Sequence, residues 1–227
     1  MILFTGDIVN TFAKEMHPWI ETFRKIKSYP YGKYSVLGNH DYGEYLDWPS
    51  QKAKDENFPA IKDLYGQIGF DLMLNRHTFI EKNGQKIALV GVENWGKGFK
   101  MAGDLKKASD GLTEQDFKIL MSHDPSHWDL EVQHHPKHFQ LTLAGHTHGM
   151  QFGIENPYFK WSPVQWMYKQ WAGLYEEGNR SYYINHSPQA KLRTNLPYVL
   201  HQADLTAARY EYTRWLKLNP FQNLSDE

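Results

Sequence analysis

The sequence predicts an α/β domain with mixed sheets, on three observations. Short apolar runs, ILFTG, KYSVLG, FKILM and FQLTLAG, each stop at glycine or polar residues, as buried strands do. Stretches with helical spacing alternate with these runs, the order expected of strands joined by crossover helices. Between HTFIEK and QKIALVGVEN stands Asn83-Gly84, the strongest short hairpin signal, which adds an antiparallel pair.

Taken in order, ILFTG runs out at Gly6 and Asp7. Pro18 suits the first turn of a helix, with Trp19, Ile20, Phe23 and Ile26 spaced for one face. KYSVLGNHD repeats the first pattern of strand, glycine and polar turn. Pro49 and Pro59 each suit a helix start, and Ile61, Leu64, Tyr65 and Ile68 form a stripe on the second of these segments. After the hairpin come FKILMSHDP and FQLTLAGHTHG, two more runs that end in polar turns. The last part of the chain reads equally as a strand, with Tyr210, Tyr212, Leu216 and Leu218 alternating, or as a helix on Leu205, Ala208, Tyr212 and Trp215.

Across 227 residues there is no Gly/Ser linker, repeat or low-complexity tract, so residues 1–227 are expected to form a single domain. Lys and Arg number 25 against 26 Asp and Glu, so no strong field points to nucleic acid and none is expected as a partner. The absence of cysteine excludes thiolate metal sites, a Cys nucleophile and a disulfide scaffold. Mean hydropathy is −0.67 and no apolar run approaches the roughly 20 residues of a membrane span. MILFTGDIVN has no basic region or cleavage site of a secretion signal.

Histidine is the compositional outlier, at 12 residues. Asp7, Asn39-His40, His123 and the pair His146 and His148 each stand just past the end of a separate apolar run. Were those strands neighbours in one mostly parallel sheet, their carboxyl ends would share the edge where α/β sheets bind ligands. Carboxylate, amide oxygen and neutral imidazole suit zinc, manganese or iron better than calcium or a thiophilic ion. On an extended GHTH both imidazoles reach one region while Thr147 faces away, and the flanking glycines let the backbone come close. A carboxylate such as Asp7 can bridge two cations, the usual device for phosphoester cleavage, with His40 as proton donor to the leaving group.

The motifs GD at Gly6-Asp7, GNHD at Gly38 to Asp41, the histidine of MSHDP and GHTHG at Gly145 to Gly149 resemble, in order and spacing, those of the calcineurin-like metallophosphoesterases. The resemblance runs from Met1 to about Asn185. It extends through GVENWG, KWSPVQWMYKQWAGLY and the Gln after GHTHG to a branch whose members are often anchored at the bacterial envelope, with relatives that cleave phosphodiester or pyrophosphate bonds in lipid precursors. Met150 stands where many relatives carry a second glycine, a tolerable change. The resemblance implies a four-layer α/β/β/α sandwich of two mixed sheets. It implies a phosphoesterase using a metal-activated hydroxide, with inversion at phosphorus, on phosphodiesters or pyrophosphates first and monoesters second. It also implies two divalent ions, Mn, Fe or Zn, with Asp7 bridging them. Asn39, His123 and His146 complete one site, His148 binds the other, His40 is the acid, and Asp41 orients its neighbours without touching metal. It assigns no substrate-binding residue, and a lipid-linked substrate stays an option.

Relatives begin with an Asp-x-His motif on a central first strand, and this sequence starts at the second. The expectation is therefore an N-terminally truncated domain with its first strand missing, one competent metal site and a second that is weak or empty. Such a loss exposes an edge on ILFTG through which the chain can self-associate. The alternative function is a catalytically impaired metal-binding fragment or scaffold. Residues 186–227 depart from the family and are read as a divergent tail. His134, His135 and His138 in HHPKH are read as a solvated loop. The aromatic stretch Tyr158 to Tyr175 is read as a loop folded over the sheet, with a lip for an acyl or aryl substrate as the alternative. Trp95 is read as lining the cleft.

Overall fold

The computed structural model describes residues 1–27, 30–149, 154–156 and 158–184. The expectations for residues 186–227, and for Met150 and Gln151, lie outside these.

Two sheets stack face to face. The smaller holds β1 (Ile2–Phe4), β2 (Lys33–Ser35) and β3 (Asp71–Leu72) in that order, all parallel. The larger is mixed. It contains β4 (Arg76–Lys82), β5 (Gln85–Gly91), β6 (Phe117–Met121), β7 (Leu141–Ala144), β10 (Gly173–Glu177) and β11 (Arg180–Ile184), in the order β10-β11-β7-β6-β5-β4. Its four inner strands are parallel, and β4 and β10 close the edges antiparallel. A separate antiparallel ribbon pairs β8 (Ile154–Asn156) with β9 (Phe159–Trp161).

Helices cover both outer faces. On the small sheet lie α1 (Ile20–Arg24) and α2 (Gln51–Gln67), whose Ile61, Leu64 and Tyr65 pack with Ile2, Leu37 and Phe70. On the large sheet lie α3 (Leu105–Ala108) and α4 (Ser126–Leu130), where Leu105, Ala108 and Trp128 meet Val90, Leu120 and Tyr182. Between the sheets Leu3, Val36 and Met73 face Leu89, Ile119, Met121, Leu141 and Leu143. This is the α/β/β/α order expected from the sequence. All five residues of β6 are buried, as befits a parallel strand covered on both faces.

The local signals mostly hold. Asn83 and Gly84 both take positive φ, 50° and 76°, as a two-residue hairpin turn requires. Pro18 does not open an α-helix. It lies inside a 3₁₀ segment, Ala13–Trp19, and α1 follows at Ile20. Pro59 does not start a helix either. A single helix begins after Ser50, whose Oγ accepts from the Ala53 N–H at 3.2 Å, and runs through Pro59. Proline lacks an N–H for the Asp55 carbonyl, and both residues are exposed, so water can serve that oxygen.

Among the described residues β1 pairs with β2 alone, so it forms one edge of the small sheet. No described helix is long and apolar enough to cross a membrane.

Candidate metal centre

The converging residues come from two sheets, not one. Asp7 and Asn39 follow β1 and β2 of the small sheet, and His123 and His146 follow β6 and β7 of the large one. Their loops meet across the top of the sandwich. A shared sheet edge was the wrong geometry, since stacked parallel strands aim their carboxyl ends at one rim as effectively as neighbours do.

The loops approach closely because glycine allows it. Gly6 has φ +98°, and a Cβ there would fall 2.4 Å from the Gly38 nitrogen. A Cβ on Gly38 would fall 2.1 Å from Asp7 Oδ1 and 2.6 Å from His123 Cε1. Asp41 ties the two loops together. Its buried carboxylate accepts from the backbone N–H of Asp7 at 3.1 Å, of Ile8 at 3.1 Å and of Gly38 at 2.9 Å, and from the Tyr65 hydroxyl at 2.9 Å. Burial, reinforced by the Asp7 charge, pushes the Asp41 carboxyl up to about 6.

Backbone strain gathers at the same place. Asp7, His146 and His148 have φ of 61°, 66° and 49°, in the left-handed region that costs a non-glycine residue about 1–2 kcal/mol. Such strain persists where surrounding contacts over-determine it, often at functional sites.

His123 is buried, and its Nδ1 lies 2.6 Å from the Thr5 carbonyl oxygen, so that nitrogen donates. In the neutral ring Nε2 is then a lone pair. It faces Asn39 Oδ1 at 2.9 Å, Asp7 Oδ2 at 3.1 Å and His146 Nδ1 at 3.3 Å. His146 Nδ1 is also 2.7 Å from Asn39 Oδ1. The Asn39 amide nitrogen donates to the Tyr45 hydroxyl, which turns its oxygen toward the histidines. One carboxylate oxygen, one amide oxygen and two imidazole nitrogens thus crowd together, and with the His146 ring proton on Nε2 all four offer lone pairs. Only a proton or a cation between them relieves the repulsion, and the donor set suits a zinc- or manganese-like ion. Asp7, His123 and His146 offer ligand atoms all within 4.8 Å of one another.

Charge follows the same logic. Burial disfavours charge on His123, but the Asp7 carboxylate, with the Thr5 carbonyl, raises it to about 9. Burial also works to raise Asp7, yet His123 and His40 outweigh it and hold that carboxyl below its usual range. His146 is pushed down to about 3, by burial first and by His123 second. Without a metal, His123 is therefore the protonated, charged imidazole of the cluster, and His146 is neutral.

His40 stands beside this cluster. Its backbone N–H donates to Asp7 Oδ1 at 3.0 Å, and its ring Nδ1 lies 2.8 Å from the Asn10 carbonyl, which fixes a proton on Nδ1. The ring stacks on Tyr45 at 4.6 Å. His148, expected on a second cation, is exposed and outside the cluster of ligand atoms.

Several partners escaped sequence reasoning. Thr5 acts through a carbonyl, which no side chain reveals. Phe99 meets the His146 ring edge-on at 4.9 Å, and the Tyr168 hydroxyl lies 2.7 Å from His146 Nε2. Tyr168 belongs to the aromatic stretch that was read as a loop folded over the sheet. The structure divides that stretch: Trp171 and Ala172 are buried, whereas Tyr158, Phe159, Trp166 and Met167 are exposed. Trp95 stacks on the buried His127 at 4.8 Å. His134 and His138 are exposed, and His135 packs on Phe139 at 5.4 Å.

Comparison with known proteins agrees with this geometry. A family profile described as calcineurin-like phosphoesterase matches residues 1–150. The chain is 30% identical over 192 residues to the uncharacterized metallophosphoesterase YkuE of Bacillus subtilis strain 168, covering 82% of this chain and 59% of that protein. It is 25% identical over 162 residues to the uncharacterized metallophosphoesterase YkoQ of the same organism, covering 70% of this chain and 53% of that one. It therefore spans little more than half the length of these relatives. The solved structure of the Thermus thermophilus sulfate thiohydrolase SoxB in complex with glycerol shares the fold, with a TM-score of 0.50 and 13% identity over 82% of this chain and 34% of that one. The chain belongs to the calcineurin-like phosphoesterase family.

Proposed function

We infer that this chain hydrolyses phosphoesters at the cluster formed by Asp7, Asn39, His123 and His146. Calcineurin-like phosphoesterases use divalent metals, and the observation that carries the reading is the set of acceptor atoms around His123 Nε2, which fits a cation. When bound, a divalent cation of the Mn, Fe or Zn type supplies Lewis acidity, acidifying a water and drawing charge from the phosphoryl oxygens. The protein's own part is to hold that donor set rigid through the Asp41 clamp and the Thr5 carbonyl.

His40 is assigned the proton transfer. With Nδ1 donating to Asn10, the Nε2 proton of the imidazolium passes to the leaving oxygen as the P–O bond breaks. Direct in-line attack inverts configuration at phosphorus. Phosphodiesters and pyrophosphates are the preferred substrates, with monoesters second. A lipid-linked substrate would meet the exposed Tyr158, Phe159, Trp166 and Met167, on the stretch that also carries Tyr168. One tight cation per chain is proposed, because His148 stands outside the donor cluster.

The test is turnover of bis(p-nitrophenyl) phosphate by the metal-stripped chain with added Mn²⁺, beside Asp7→Ala and His40→Ala. A rate that requires Mn²⁺, is lost in Asp7→Ala and falls only modestly in His40→Ala is expected, since p-nitrophenolate leaves without needing a proton. Equal rates in all three would leave a metal-binding scaffold in place of an enzyme.

A further inference from the structure

Asp124 follows His123 in the loop after β6, and neither the donor set nor the proton transfer uses it. Its side chain is buried. Oδ1 is taken by Ser126, accepting from the backbone N–H at 2.8 Å and from Oγ at 2.7 Å. Oδ2 accepts no hydrogen bond from the described residues. It lies 3.5 Å from His146 Nε2, in a seat so tight that a Cβ on Gly96 would fall 2.2 Å away. A buried carboxylate oxygen without a donor is costly, so its retention calls for a reason.

The reason lies across the His146 ring. Nδ1 faces Asn39 Oδ1 and His123 Nε2, and it can offer a lone pair there only if the ring proton resides on Nε2. Nε2 is the side on which Asp124 Oδ2 and the Tyr168 hydroxyl stand. We propose that Asp124 is a positioning residue for the metal centre: its Oδ2, with the Tyr168 hydroxyl, holds the His146 proton on Nε2 and so keeps the Nδ1 lone pair aimed at the cation. Carboxylates behind metal-bound histidines commonly fix the tautomer in this way. The inference rests on the metal-centre reading above, and the experiment separates the two.

Mn²⁺ affinity is measured by calorimetry on the metal-stripped full chain, and the His146 tautomer by ¹⁵N NMR with and without Zn²⁺. Asp124→Asn is the main variant. Its amide oxygen still serves Ser126, while its NH₂ group faces Nε2 and favours the wrong tautomer. The expected result is a loss of about 10- to 100-fold in Mn²⁺ affinity, with the His146 proton moved to Nδ1. Ser126→Ala removes only the contacts made through Ser126 Oγ, and its affinity is expected to match the wild type. Gly96→Ala pushes Oδ2 off its seat without changing charge, and it serves if Asp124→Asn does not fold; weaker binding is expected.

Wild-type affinity and tautomer in a folded Asp124→Asn protein would overturn the proposal while leaving the metal centre intact. So would an equal loss in Ser126→Ala, because Asp124 would then act through α4. Failure of the wild type to bind either Mn²⁺ or Zn²⁺ would overturn the metal-centre reading and this one with it.

Discussion

His123 Nε2 faces Asn39 Oδ1 across 2.9 Å, although its own Nδ1 already donates to Thr5 and leaves Nε2 a lone pair in the neutral ring. In the metal-free chain a proton fills that contact, and a cation must displace it. His123 is raised to about 9 while His146 is lowered to about 3, so near pH 7 His123 alone has a proton to give. Calorimetry in buffers of different ionisation heat should show about one proton released per cation bound at pH 7. Affinity should climb about tenfold per pH unit up to about 9. Binding with no proton released would contradict the arrangement.

The same shift has a sign for stability. The His123 pKa in the folded protein lies above its unfolded value of 6.5, so its contribution is fully present below about 6.5 and lost as pH rises through about 9. The metal-free chain should therefore lose stability over that window, by on the order of 3 kcal/mol. Saturating Mn²⁺ should remove most of this dependence, since the bound ion excludes the proton. Urea midpoints at pH 6, 7.5 and 9, with and without metal, decide the matter.

Asp41→Ala should cost about 3 kcal/mol or more, because three backbone N–H groups and the Tyr65 hydroxyl lose their buried acceptor. Mn²⁺ affinity should fall as well, since the loop carrying Asp7 loses its tie to the loop carrying Asn39. A variant of wild-type stability and affinity would show that the loops are held by something else.

Gly38→Ala should keep the fold and lose the site. The added methyl overlaps Asp7 Oδ1 and His123 Cε1, so the carboxylate must swing away. Overpacking of this kind destabilises by about 1–3 kcal/mol. Near-normal circular dichroism with Mn²⁺ binding weakened at least about 100-fold is the expected pair of results, given that a ligand rather than its support is displaced.

His40→Ala should depend on the leaving group. With an alkyl phosphodiester, whose departing oxygen needs a proton, the rate should fall about 10²- to 10⁴-fold. With a p-nitrophenyl ester, which leaves as a stable anion, the fall should be much smaller. An equal loss on both would remove the acid role from His40.

His148→Ala should leave one tight Mn²⁺ per chain with unchanged affinity, because His148 lies outside the donor cluster. A second equivalent of tight binding in the wild type, lost in this variant, would restore the two-metal expectation.

Much of this molecule was legible in its sequence, for physical reasons. Strand ends at Asp7, Asn39, His123 and His146 showed themselves because apolar runs stop abruptly at polar, glycine-flanked turns. Asn83-Gly84 marked its hairpin because few other pairs tolerate two positive φ values. Two prolines misled: Pro18 and Pro59 were read as helix starts, but a 3₁₀ segment and a continuous helix absorb them. The assignment of ligands to two sheets was hidden, since periodicity tells which face a strand buries and nothing of which sheet it joins. Thr5, Asp124 and Tyr168 escaped because their roles depend on a carbonyl direction, a buried oxygen and a contact between residues far apart in the chain.

The most direct test is anomalous diffraction from crystals of the chain grown with Mn²⁺. A peak within about 2.3 Å of Asp7 Oδ2, Asn39 Oδ1, His123 Nε2 and His146 Nδ1 is the predicted result. Ordered protein with no peak there, or a peak bound by other side chains, would contradict the central claim.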